Sequence, residues 1–289
     1  MQEYQSLSLS RLRSDGFVSF SNIFSDTEMK KMRTQAENLF RPEFKAAMDD
    51  DNHPLYGSHR AGIFHRFPEM RWIITNKGMI EALTSIAGPN YIITPFVAHK
   101  SFYAKWHRDT DSPMKAGHNF FVPQHNRPIQ IALYLQSNKE NGGGLDIVPK
   151  SHFEVPIEVE LEKLRHTTRE DGFIAYNRAR ILYRFNYFRL KQMKSSKPVY
   201  KIPSHAGDVV AFDFGARHRA SPDDGVPNSL DMTAKVEKIA LFFSLLPDND
   251  GARAYIEYLR NEKGAGHSRA FDNQQDMVQL AKIHGFQVP

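Results

Sequence analysis

Residues 207–222 read "GDVVAFDFGARHRASP" and carry the clearest strand signal in the chain. Val210, Phe212 and Phe214 alternate with Val209, Ala211 and Asp213, the period-two pattern of a half-buried strand. Gly215 ends the run, and His218 emerges just past it. Short β-type segments of the same kind recur from Tyr91 onward: "YIITPFVAHKSFYAKWH", "IQIALYLQ", "LDIVP", "VYKIP" and "KIALFFSLLP". Strands at that spacing, mostly without helices between them, predict an antiparallel barrel or sandwich rather than a doubly wound sheet.

The flanks read differently. A short amphipathic segment around Leu9–Arg13 precedes "GFVSFSN", an alternating strand. Ser25 and Glu28 then make a capping-box pattern, with Met29, Met32, Ala36 and Leu39/Phe40 at helical spacing, so a packed helix is predicted over 26–40. A second helix is predicted over Lys77–Ile86, ending at Gly88-Pro89, and two more in "GARAYIEYLRN" and "QQDMVQLAKIHGF". Residues 41–70 show no clear period. Between His152 and Pro198 the strand rhythm breaks for an insertion, acidic at first (Glu158, Glu160, Glu162) and then basic and aromatic, "NRARILYRFNYFRLKQMKSSK". It reads as a helical excursion packing its aromatics on the barrel, or as a lid or substrate-binding wall.

Composition bounds the function. The chain has 289 residues, 40% hydrophobic and 25% charged, enough for a sizeable core. The net charge of +5 comes from basic residues spread along the chain, which suits an acidic small substrate and does not argue for nucleic acid. With no cysteine, disulfides, thiolate metal sites, iron–sulfur clusters and cysteine nucleophiles are excluded, and any metal must be held by His, Asp or Glu. The N-terminus is polar, and the run from Ile239 is far too short to span a bilayer; the expectation is a cytoplasmic chain with no membrane partner.

Chemistry-bearing residues gather in "KWHRDTDSP", 105–113. If this stretch is one extended strand, His107, Asp109 and Asp111 share a face while Trp106 and Arg108 take the other. A lone His-x-Asp is common without metal. His218, at the end of another strand, adds a second imidazole, and two imidazoles with one carboxylate make a facial triad that leaves positions open on Fe(II). Zinc accepts the same ligands.

"WHRD", "NGGGLDIVPKSH" at 141–152 and "GDVVAFDFGARHRAS", with "DGFVSFSNIFSDTEMKKM" near the N-terminus, together resemble the phytanoyl-CoA dioxygenase family of non-haem iron, 2-oxoglutarate-dependent oxygenases. The motifs come in the family's order over nearly the whole chain. The resemblance implies His107, Asp109 and His218 as catalytic iron ligands, with Fe(II), 2-oxoglutarate and O2 as cofactor and co-substrates and succinate and CO2 released. Asp111 is then left outside the ligand set, His152 reads as structural, and His99, His118, His125 and His205 read as surface or hydrogen-bonded core residues rather than ligands. Relatives that chlorinate replace the carboxylate by a small residue, so Asp109 points to hydroxylation, or to desaturation or ring closure.

One element departs from the family. Its arginine for the distal carboxylate of 2-oxoglutarate falls roughly ten residues past the second histidine, but no arginine lies here between Arg219 and Arg253. Lys238 opens the last strand and shares a face with Ala240, Phe242 and Ser244, which makes it the first candidate for cofactor binding, ahead of Lys235 and Arg219. Gln130 and Tyr134 alternate with Ile131 and Leu133 and are further candidates.

The expected fold is mainly β with flanking helices: a double-stranded β-helix, the jelly-roll or cupin-like barrel. The expected organisation is one domain, 1–289, with an N-terminal helical region 1–90, a barrel core 91–246 carrying the insertion 153–198, and C-terminal helices 247–289. Rival readings are a metal-bound cupin acting as hydrolase or isomerase without 2-oxoglutarate, and a binding barrel that has lost catalysis. The expected partner is a small organic substrate, a secondary metabolite or amino-acid-like compound; Arg178, Arg180, Arg184 and Arg189 would suit an anionic one. Specificity is expected in loops 41–70 and 112–126 and in the insertion.

Overall fold

The computed structural model describes residues 2–41, 59–94, 97–101, 104–118, 120–121, 127–137, 144–153, 161, 164, 167–196, 198–203, 205–221, 238–261 and 275–289. Among them the strands are β1 (Phe17–Phe20), β2 (His59–Ala61), β3 (Ile92–Ile93), β4 (Val97–Lys100), β5 (Ile129–Tyr134), β6 (Leu145–Ile147), β7 (Tyr200–Ile202), β8 (Val209–Asp213), β9 (His218–Ala220) and β10 (Ile239–Leu246). The longer helices are α1 (Gln2–Asp15), α2 (Asp26–Asn38), α3 (Lys77–Ala87), α4 (Phe173–Ser196), α5 (Asp250–Asn261) and α6 (Gln275–His284).

The strands form two antiparallel sheets. In the larger the order is β1-β8-β5-β10-β4-β2, with β3 also on β10; in the smaller it is β7-β6-β9. An antiparallel bridge between His107 and His218 adds the chain around His107 to the small sheet. This is the jelly-roll, double-stranded β-helix architecture, with helices at its flanks.

Side-chain parity explains the layering. On β10, Ile239, Leu241, Phe243 and Leu245 point one way and join Met32, Met79 and Leu83 of α2 and α3 in the main core. Ala240 and the half-buried Phe242 point the other way, into a second cluster where Tyr134, Val210 and Phe212 of the large sheet meet Leu145, Ile147 and Ile202 of the small one. β8 is therefore buried on both faces along Val209–Phe212, where its alternation predicts burial of one. Helices cover the outer face, so alternation here separates two apolar environments rather than core from water.

Local signals place the helices. The Ser25 hydroxyl accepts from Glu28 N–H, and the Glu28 carboxylate accepts from Ser25 N–H at 2.8 Å, closing the capping box that starts α2; such a cap is worth about 1 kcal/mol. Gly207, at φ +98°, lets the turn before β8 pass under the loop into α2: its carbonyl accepts from Ile23 N–H at 3.0 Å, and a Cβ there would sit 2.7 Å from the Phe24 carbonyl oxygen.

Two readings change. The insertion does carry a long helix, α4, but most of its aromatics do not pack on the barrel: Phe173, Phe185, Tyr187 and Phe188 are exposed, as are Ile174 and Ile181. Residues 105–113 are not one strand either. Only His107 is bridged; the chain turns at 109–110 and a five-residue helix starts at Asp111. No helix among the described residues is long and apolar enough to cross a membrane.

Candidate metal centre

The turn after His107 is what assembles the centre. Asp109 N–H donates to the Phe214 carbonyl at 3.0 Å, and His107 and His218 exchange both backbone hydrogen bonds at 3.0 Å. These bonds fix three side chains from two distant segments against one another. The Asp109 Oδ1 lies 3.5 Å from His107 Nε2 and 3.9 Å from His218 Nε2. One ligand atom from each residue lies within 4.8 Å of the others. Two ligands at about 2.1 Å from one ion sit roughly 3–3.5 Å apart, so the cluster is slightly wider than a loaded site.

The imidazoles are presented with the correct nitrogen. His107 Nδ1 donates to the Lys105 carbonyl at 2.7 Å, and His218 Nδ1 to the Ala216 carbonyl at 2.9 Å. A carbonyl can only accept, so Nδ1 carries the hydrogen on both rings and each Nε2 lone pair faces Asp109. Asp109 Oδ2 is buried and accepts no hydrogen bond from the described residues. A buried carboxylate oxygen without a donor, beside two imidazole lone pairs, is the donor set of a divalent cation.

Electrostatics agree. Burial alone would raise the Asp109 pKa, but the two histidines, His218 foremost, hold it below the ordinary carboxylate value. Burial lowers His218 to about 4, keeping that ring neutral. His107 also loses by burial, yet the hydrogen bond and charge of Asp109 outweigh this and raise it. The same Asp109 charge that favours a proton on His107 also favours a metal cation between them.

Asp111 is separated from the triad by the turn. Its Oδ2 accepts from Arg108 N–H at 3.2 Å, and Arg108, buried, donates from Nε to the Gly215 carbonyl at 3.1 Å. His152 stands elsewhere, its Nε2 3.0 Å from the Arg13 carbonyl.

The triad opens into a cavity of about 400 Å³. Lys238, Gln130 and Tyr134 all line it. Lys238 is 2% exposed, and burial lowers its pKa to about 7. Gln130 accepts from the Ser244 hydroxyl at 2.8 Å, and burial, with the charge of Asp146, raises the Tyr134 pKa. Arg219 does not line the cavity: next to His218 on a short strand, it points the opposite way, pairs with Asp146 at 2.9 Å and stacks 4.9 Å from the Trp106 ring. Lys235 and His125 lie outside the described residues. Nor do Arg178, Arg180 or Arg184 of α4 reach the cavity.

Several lining residues escape sequence reasoning. His59 and His99 meet edge to face at 4.8 Å, side by side on β2 and β4. Their signal is the parity of "VAHK", which places His99 on the inner face once β4 is paired with β10. Tyr255 and Leu259 come from α5, where an i, i+4 pair reads as ordinary core packing.

A family model described as phytanoyl-CoA dioxygenase (PhyH) matches residues 12–224. No curated protein matches the chain. Among solved structures, EctD from S. alaskensis with 2-oxoglutarate and 5-hydroxyectoine aligns with TM-score 0.57 at 16% identity, covering 84% of this chain and 76% of that one. The epimerase SnoN in complex with Fe3+, alpha ketoglutarate and nogalamycin RO aligns at 0.58 and 14%, covering 92% of both chains. EvdMO1 aligns at 0.55 and 16% over 85% of this chain, which spans only 50% of that protein. At such identities the likeness is one of fold.

Proposed function

The chain belongs to the phytanoyl-CoA dioxygenase family of non-haem iron, 2-oxoglutarate-dependent oxygenases, and we propose that its own centre is His107, Asp109 and His218 holding one Fe(II), with hydroxylation of a small organic molecule as its reaction. The observation that carries this reading is the convergence of two Nε2 lone pairs and one carboxylate on a single point at the wall of the cavity that also holds Lys238. When bound, iron and 2-oxoglutarate supply oxygen activation, with succinate and CO2 as co-products.

The chain's residues bind, orient and exclude water. The Lys105 and Ala216 carbonyls lock both imidazoles with Nε2 inward, so neither ring can flip without losing a hydrogen bond. Lys238 anchors the distal carboxylate of 2-oxoglutarate. Among the described residues it is the one lysine or arginine lining the cavity, and an incoming carboxylate favours the charged ammonium that burial disfavours. A buried lysine lining the same cavity as the triad supports 2-oxoglutarate over a hydrolytic or isomerising cupin. Asp109 fills the carboxylate position, which supports hydroxylation over halogenation.

The test is 2-oxoglutarate turnover. Purified protein with Fe(II), ascorbate and O2 is expected to form succinate slowly without substrate and to lose this in Asp109→Ala. Succinate formation that persists in Asp109→Ala, or is absent from a wild-type protein that binds iron, contradicts the reading.

A further inference from the structure

The cavity has two chemically different ends, and the second is not accounted for by 2-oxoglutarate. At one end Ala240 of β10 stands opposite Tyr134 on one side and His99 on the other, and Lys238 lies two residues further along. At the other end the cavity runs past Phe214, whose carbonyl accepts from Asp109 N–H, to Tyr255 and Leu259 of α5. Tyr255 meets the Phe214 ring edge-on at 6.0 Å and the Phe121 ring at 5.0 Å, and Phe120 lies 6.0 Å away. His118, stacked on Phe120 at 4.7 Å and set against Tyr258 at 4.7 Å, ties the chain that follows the Asp109 turn to α5. The wall is thus built and held before any ligand arrives.

Its chemistry selects. Besides histidines and tyrosines, the described lining residues include only two ionisable side chains: Lys238, at the far end, and Asp109, in the triad. A charged group brought against Tyr255 and Leu259 would be desolvated with no opposite charge from α5 among the described lining residues, whereas an apolar ring gains contact area and an aromatic face. We propose that Tyr255 and Leu259 form the specificity-determining wall for an uncharged, ring-bearing, hydrocarbon-rich portion of the substrate, which reaches the triad from the side opposite Lys238. This rests on the proposed function insofar as 2-oxoglutarate occupies the Lys238 end.

Equilibrium dialysis tests it, with indole and indole-3-carboxylate as probes against protein loaded with Zn(II) and saturating 2-oxoglutarate. Indole is expected to bind with 2-oxoglutarate in place and more tightly than its carboxylate. Leu259→Lys, at a half-buried position, should weaken indole by about tenfold and favour the carboxylate; Tyr255→Ala should weaken indole by a similar factor. No indole binding, displacement of 2-oxoglutarate by indole, equal affinity for the two probes, or no change in Leu259→Lys and Tyr255→Ala overturns the proposal. Failure of wild-type protein to bind 2-oxoglutarate at all refutes the reading of the Lys238 end instead, and the wall is then judged by the indole measurements alone.

Discussion

Affinity for 2-oxoglutarate should carry the titration of Lys238. Burial lowers this lysine from its ordinary 10.5 to about 7, which corresponds to roughly 5 kcal/mol against the buried ammonium. A carboxylate placed on it reverses most of that penalty, so the complex holds the proton that the free protein has half lost near neutrality. Affinity is therefore highest below the free-protein pKa of about 7 and falls by about tenfold per pH unit above it, until the higher pKa of the complex is reached. Calorimetric titration of 2-oxoglutarate into Zn(II)-loaded protein, from about pH 6.5 to 9 in two buffers of different ionisation enthalpy, reads both the affinity and an uptake of about one proton. Lys238→Arg keeps the charge at every pH and should flatten the profile; Lys238→Met should bind weakly throughout. A flat wild-type profile without proton uptake, or wild-type affinity in Lys238→Met, would refute the reasoning.

Two further outcomes follow from buried charge. The folded pKa of Lys238 lies below its unfolded value, so ligand-free protein is penalised most below about pH 7 and should gain stability as the pH rises toward 10.5; Lys238→Met should raise the melting temperature most at low pH and remove that slope. Asp146 is buried and accepts from Arg219 Nε at 2.9 Å and from the Ser221 hydroxyl at 2.7 Å. Asp146→Ala leaves both donors without their acceptor; allowing for the partly exposed guanidinium, denaturant unfolding should show a loss of about 2–3 kcal/mol.

What could be read in the sequence was what local periodicity and spacing encode. The alternation of Val209–Asp213, the Ser25/Glu28 cap and the helical spacing of Met29, Met32 and Ala36 each fix an element without help from the rest of the fold. Parity on β10 likewise puts Lys238 on the face of Ala240, Phe242 and Ser244, and the fold turns that face inward. Tertiary decisions were not legible. "HRDTD" alternates as a strand would, but pairing stops at His107, and the Asp109–Phe214 bond bends the chain so that Asp109 meets the histidines while Asp111 caps the turn. The aromatics of α4 read as buried surface because nothing local tells an apolar side chain facing a neighbour from one facing solvent. Tyr255 and Leu259 were hidden for the converse reason: their spacing says core, and only the position of α5 beside Phe214 makes them a cavity wall.

If His107, Asp109 and His218 form one iron site that 2-oxoglutarate completes, iron and co-substrate must report on each other in one spectrum. The direct measurement is the visible absorption of the protein after anaerobic addition of Fe(II) and then 2-oxoglutarate. The structure predicts a weak charge-transfer band that appears only with both present and is absent from His107→Ala, Asp109→Ala and His218→Ala. A band that survives in those variants, or a wild-type protein that binds Fe(II) yet shows no band with 2-oxoglutarate, would contradict it.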